Sequence, residues 1–156
     1  ADKLFTYYAD APSKKRILMG DGRLTLERQE PQNYDVLMMD AFSGDSIPVH
    51  LITREAFKIY LRHLKPEGVI VMHISNKYLN IQPVLARVAE ELKLSAVMIE
   101  ADDYGDGNCF GTTYVILSPS AEAVKPLLNS GIPPATKPEV GIWTDDYSNL
   151  YRILKK

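Results

Sequence analysis

The sequence is short of the residues that staple or anchor a chain. It holds one cysteine, Cys109, and three histidines among 156 residues. One cysteine excludes an internal disulfide and a multi-cysteine zinc site. His50, His63 and His73 fit no H-E-x-x-H pattern, so no structural metal is expected. No apolar run approaches the roughly 18 residues of a membrane-spanning helix. The opening Ala1-Asp2-Lys3-Leu4 has no signal-peptide pattern. Neither sign of charge dominates: 18 Lys and Arg against 20 Asp and Glu leave a net charge of −2. Such a chain lacks the clustered cations that follow a nucleic-acid backbone. Glycine fingerprints fail as well. From Gly20 the G-x-G-x-x-G pattern meets Thr25, and from Gly105 it meets Phe110. The reading that remains is a soluble, cytoplasmic domain. The missing initiator methionine fits either a piece of a longer protein or ordinary methionine removal.

The apolar share of 46% and the charged share of 24% are those of a folded globular chain. The length suits a single domain with its own core. Strand and helix patterns alternate. Residues 15–20 (KRILMG) read as a strand and 23–29 as a short helix. Residues 34–39 (YDVLMM) are a continuous apolar run, which predicts a strand buried on both faces. Thr53 is expected to cap a helix to about Leu64, its apolar residues recurring at three and four, and Lys65-Pro66-Glu67-Gly68 to break it.

Residues 69–74 (VIVMHI) read as a second buried strand. Asn80 is expected to cap a helix with Pro83 in its first turn. Two more strands, 96–100 and 112–117, flank a polar loop and suit an antiparallel edge pair. A short helix over 120–129 and an irregular proline-containing crossing at 131–141 follow. The tail 143–154 is expected to end in a helical turn that packs back. Alternation of this kind predicts an α/β fold, three-layered, with a mainly parallel sheet ending in that antiparallel pair.

In such sheets ligands bind beyond the carboxyl ends of the strands. Gly20-Asp21-Gly22 follows the first strand, Asp40-Ala41 the second and Ser75-Asn76 the third. Asp40, at the end of an apolar strand, is placed to accept a proton from an amine or to hold a cation; the plainer reading is a turn cap. Asp21 lies between glycines that permit close backbone approach to a flat ligand, or it caps the helix after it. The acidic loop 102–108 fails the EF-hand pattern, with Tyr104 at position three and Thr113 at position twelve. It reads as solvated, or as attracting a polycation. His73 reads as a hydrogen-bonded core histidine and Cys109 as structural. Trp143, Tyr147 and Tyr151 read as a packing stripe, with Asp145-Asp146 beside them able to contact a cation.

The stretch from Tyr34 to Pro48, YDVLMMDAFSGDSIP, resembles the spermidine synthase-like family, and is closest to bacterial members often fused to transporter-like membrane segments. Gly20-Asp21-Gly22-Arg23, His73-Ile74-Ser75-Asn76 and the run from Trp143 to Leu150 add to the resemblance, which extends from about Leu4 to Leu154. It implies a Rossmann-like fold of the S-adenosylmethionine-transferase type. It implies aminopropyl transfer from decarboxylated S-adenosylmethionine, a co-substrate, to a polyamine acceptor such as putrescine. No prosthetic group is implied. The resemblance makes Asp40 the catalytic carboxylate that deprotonates or orients the amine. It puts Asp21, Gly22 and Ala41 against the adenosyl ligand, and Asp45 and Tyr147 against the polyamine. The family's second acid falls at Ser43 here, so Asp45 replaces it only where the loop bulges.

The resemblance also implies that the family's first two strands and glycine-rich loop are absent upstream of Lys15, with 2–10 matching the helix before the GDG strand. The chain is then a single, N-terminally truncated domain. Its open sheet edges are expected either to close by direct pairing of strands 15–20 and 34–39 or to recruit a second copy. A sedimentation profile of a monomer with both edges open contradicts that expectation. Two other readings stand beside the transferase: an S-adenosylmethionine-dependent methyltransferase, whose pocket needs no row of acids, and a non-catalytic interaction module, which detectable turnover removes.

Overall fold

The computed structural model describes residues 6, 10, 12–41, 47–101 and 111–155. Four strands form one sheet: β1 (Tyr34–Met39), β2 (Leu64–His73), β3 (Ser95–Ala101) and β4 (Thr112–Ser118), in the order β1-β2-β4-β3. β1 and β2 are parallel, and both β2–β4 and β3–β4 are antiparallel. The expected antiparallel pair is therefore present at one edge. The described sheet is mixed rather than mainly parallel, because residues 14–19 carry no strand.

That segment corrects two expectations. Residues 15–20 do not pair with β1, and Ile17, Leu18 and Met19 lie exposed. A strand needs a neighbour to satisfy its backbone donors and acceptors, and no described strand lies beside this one. β1 is likewise not buried on both faces: Val36 and Met38 are exposed, while Leu37 and Met39 pack on the core. A β-strand alternates its side chains, so covering one face only leaves every second residue in water.

The helices explain which face is covered. α1 (Gly22–Arg28) buries no residue fully. α2 (Arg54–Arg62) and α3 (Gln82–Leu92) carry the main core. Thr53 caps α2 as expected, its Oγ accepting from the Ala56 amide at 3.3 Å. Ala56, Phe57 and Tyr60 recur on one side of that helix and are buried. They meet Ile70 and Met72 of β2 and Val115 and Leu117 of β4. Each such side chain contributes roughly 1.5–3 kcal/mol by leaving water. Alternate residues, Val69 and Val71, turn to the opposite face, where Val97, Ile116 and Val124 make a smaller cluster under α4 (Ala121–Val124). α3 begins without a side-chain cap, so Asn80 is not its cap; Ile81 occupies that place, and the proline of the first turn is retained.

Lys65-Pro66-Glu67-Gly68 is no simple break between helix and strand. These residues belong to β2, where the β1 register slips between Tyr34 and Val36. Gly68 is required there by close approach: a Cβ would lie 2.7 Å from the Tyr34 carbonyl oxygen and 3.2 Å from the Leu64 Cβ. Ser118 Oγ donates to the Gly68 carbonyl at 2.8 Å and fastens the irregular stretch to β4.

The tail packs back. Trp143 and Ile153 are buried, and a 3-10 turn spans Leu150–Ile153. Tyr147 and Tyr151 are exposed, which corrects the expected aromatic stripe. The spacing of four presupposes a helix, whereas 144–147 is a tight turn closed by the Thr144–Tyr147 bridge. No described helix is long and apolar enough to cross a membrane.

Candidate functional site

Two polar clusters sit on the loops beyond the strands. The first is built around α1. Gly20 has φ +127°, a conformation that favours glycine, and it delivers Asp21 in extended backbone to the start of the helix. Asp21 Oδ1 accepts from the Leu24 amide at 2.9 Å, and Oδ2 lies 2.9 Å from His50 Nε2. The Leu24 amide, and then His50, hold this carboxyl below its usual range. Both of its oxygens are engaged. Gly22 opens α1, and the space where its Cβ would stand is empty.

Arg23, the next residue, turns to the tail. Its guanidinium grips Asp145 with two bonds of 2.7 and 2.5 Å, and Nη1 also donates to the His50 carbonyl at 2.6 Å. Thr53 Oγ donates to Asp145 Oδ1 at 2.7 Å, and the Asp145 amide donates to Glu55 Oε2 at 3.1 Å. The Arg54 amide donates to the Trp143 carbonyl at 2.8 Å. The tail turn is thus clamped on the N-terminus of α2, where a carboxylate is favoured by the exposed amides. Arg23 lowers the Asp145 carboxyl, and Asp145 in turn raises the Arg23 guanidinium. Arg23, His50, Thr53, Asp145 and Tyr147 line a cleft of about 440 Å³. Below it Tyr60 donates to the Leu51 carbonyl at 3.0 Å, and burial pushes its phenol above the ordinary range.

The second cluster lies at the ends of β1 and β2. Asp40 follows β1, and its carboxylate is 51% exposed. Oδ1 lies 2.8 Å from His73 Nδ1, and His73 Nε2 lies 2.8 Å from Ser75 Oγ. Ser75 Oγ accepts from the Thr113 amide of β4 at 2.8 Å. The His73 ring stacks on Tyr114 at 4.9 Å between centroids. Asn76 caps the next turn by accepting from the Tyr78 and Leu79 amides. The tail crosses over this turn: the Lys155 amide donates to the Tyr78 carbonyl and its Nζ to that of Asn76.

The expected site residues thus fall in different places. Asp40 and the exposed Ala41 stand at the end of β1, and Tyr147 lines the cleft with Arg23 and His50. Asp40 is not among the cleft's lining residues. Asp45, Ser43, Cys109 and the acidic loop 102–108 lie outside the described residues. The cation expected beside Asp145 is the chain's own Arg23. Arg23, His50, Thr53 and Ser75 carry no site role in the sequence, where Thr53 reads only as a helix cap and Arg23 and Ser75 only as parts of longer motifs. His73-Ile74-Ser75 carried a usable signal, since residues two apart on a strand share a face. Arg23 to Asp145 carried none, being joined only by the fold. Among the described residues no group of three or more His, Cys, Asp or Glu side chains could hold a metal.

No family model matches the chain. Over 67 residues it is 36% identical to a polyamine aminopropyltransferase of Vibrio vulnificus, covering 42% of this chain and 22% of that protein. Over 68 residues it is 34% identical to a probable polyamine aminopropyl transferase of Bifidobacterium longum, covering 44% of this chain and 15% of that protein. The matches therefore span about a fifth or less of those relatives' length. Among solved structures, a probable spermidine synthase of Corynebacterium glutamicum superposes with a TM-score of 0.55 at 22% identity, over 86% of this chain and 56% of that one. The α/β fold is of that kind, and the sequence matches, partial in their coverage, support a likeness to the spermidine synthase-like family.

Proposed function

We propose that the chain carries the amine side of an aminopropyl-transfer site, using decarboxylated S-adenosylmethionine as co-substrate and a polyamine such as putrescine as acceptor. The observation that carries this reading is the half-open Asp40 carboxylate at the carboxyl end of β1, held by one oxygen. The chemistry asks for little more. The amine nitrogen attacks the aminopropyl carbon beside the sulfonium, and the C–S electron pair leaves with sulfur as 5′-methylthioadenosine. The acceptor enters protonated and is not nucleophilic until a proton is removed, which is the work of Asp40. The sulfonium is already a leaving group, so positioning and one proton acceptor suffice.

Asp21 is read as the adenine contact, with Gly22 and Ala41 beside the nucleoside and Tyr147 and Asp45 toward the polyamine. A ligand reaching Asp21 takes over the oxygen that His50 now shares. Calorimetric titration with 5′-methylthioadenosine tests the nucleoside half alone. Saturable binding that Asp21→Ala abolishes is expected. Absence of heat up to millimolar ligand contradicts an adenosine site in this chain.

A further inference from the structure

The bonds around His73 have a direction. A backbone amide can only donate, so Ser75 Oγ accepts from Thr113 and keeps its own hydrogen to give away. A carboxylate can only accept, so at Asp40 the proton must sit on His73 Nδ1. In the neutral ring Nε2 is then an acceptor, and Ser75 O–H donates to it. The order runs from the Thr113 amide through Ser75 and His73 to Asp40. Every link starts from rigid strand backbone of β4 or from the end of β2.

We propose that His73 is a positioning residue for Asp40, with Ser75 fixing its tautomer. The proposal rests on the aminopropyl-transfer reading and adds to it a residue that the amine never touches. Asp40 follows the last residue of β1 and is half-exposed, so its carboxylate alone would rotate freely about χ2. His73 is held on both sides, by Ser75 at its edge and by the Tyr114 ring at its face. It therefore fixes Oδ1 and leaves Oδ2 open to take a proton from the amine. Orientation of this kind is worth large factors when one proton acceptor carries the reaction.

Two measurements test it. The first needs no turnover: long-range proton–nitrogen spectra of the ring in mildly alkaline buffer. A proton on Nδ1 of His73 is expected, and Ser75→Ala should erode that preference. A ring protonated on Nε2 in the unaltered chain overturns the proposal. The second is steady-state transfer. His73→Phe keeps the stack on Tyr114 and removes the donor; kcat should fall about 10-fold to 100-fold, with KM for the sulfonium donor unchanged. His73→Asn restores an N–H near the Nδ1 position and should recover most of the loss. Equal losses in His73→Phe and His73→Asn, or a change confined to KM, overturn the positioning role. An unaltered chain without transfer activity instead removes the reading beneath it, while the ring spectra still decide the tautomer.

Discussion

The two polar clusters are built from the same kinds of residue and end differently. Around Arg23 both carboxylates have their oxygens engaged: Asp145 has the guanidinium and Thr53, and Asp21 has an amide and His50. At Asp40 the chain of bonds stops short, with one carboxylate oxygen held and the side chain half in water. A charge neutralised in place can hold loops together, and it has little left for a substrate. A charge oriented from one side only can still accept a proton. The difference supports a structural role for the Arg23–Asp145 pair and the proposed proton transfer at Asp40.

The sharpest way to break that contrast is through Trp143. It is 1% exposed and seats the tail that brings Asp145 to Arg23. Trp143→Ala should cost about 3–5 kcal/mol, read as a lowered midpoint in urea, and should free Arg23. A loss within the range of ordinary surface substitutions would mean that the clamp does not depend on the buried tail. Arg23→Gln comes next. The pair is bidentate, yet Asp145 is 42% exposed, so screening trims its worth to about 1 kcal/mol. Unchanged stability would class it with idle surface pairs.

A smaller effect lies in acid. The folded Asp145 and Asp21 carboxyls are held below their ordinary value by Arg23 and by the Leu24 amide. A depressed folded value means stability that is present above the ordinary carboxylate range and lost as pH falls through the depressed one. Asp145→Asn should therefore flatten the acid limb of a stability profile by lowering the neutral plateau toward the acid value. An acid limb as steep as before would place the titrating groups elsewhere.

How far the sequence foretold this follows from the range of each signal. Periodicity and caps are local, so α2 with its Thr53 cap and the β3–β4 pair were legible. Asp21 as a cap was legible for the same reason. Whether Val36 and Met38 are buried depends on what covers that face, and an apolar run says nothing about its cover. Residues 15–20 have strand-like composition but no described neighbour to pair with. Asp40 stood out because a charge ended an apolar run. Its partner His73 was hidden inside another run and read as core, although it sits at the strand end with one ring nitrogen on Asp40.

Transfer of the aminopropyl group, measured by mass spectrometry with decarboxylated S-adenosylmethionine and putrescine, puts the assignment of Asp40 to the hardest test. The unaltered chain should yield spermidine and 5′-methylthioadenosine in equal amounts. Asp40→Asn, which keeps the shape and removes the proton acceptor, should lower turnover by about 100-fold or more with unfolding unchanged. Turnover within about threefold of the unaltered chain would show that the amine gives its proton elsewhere.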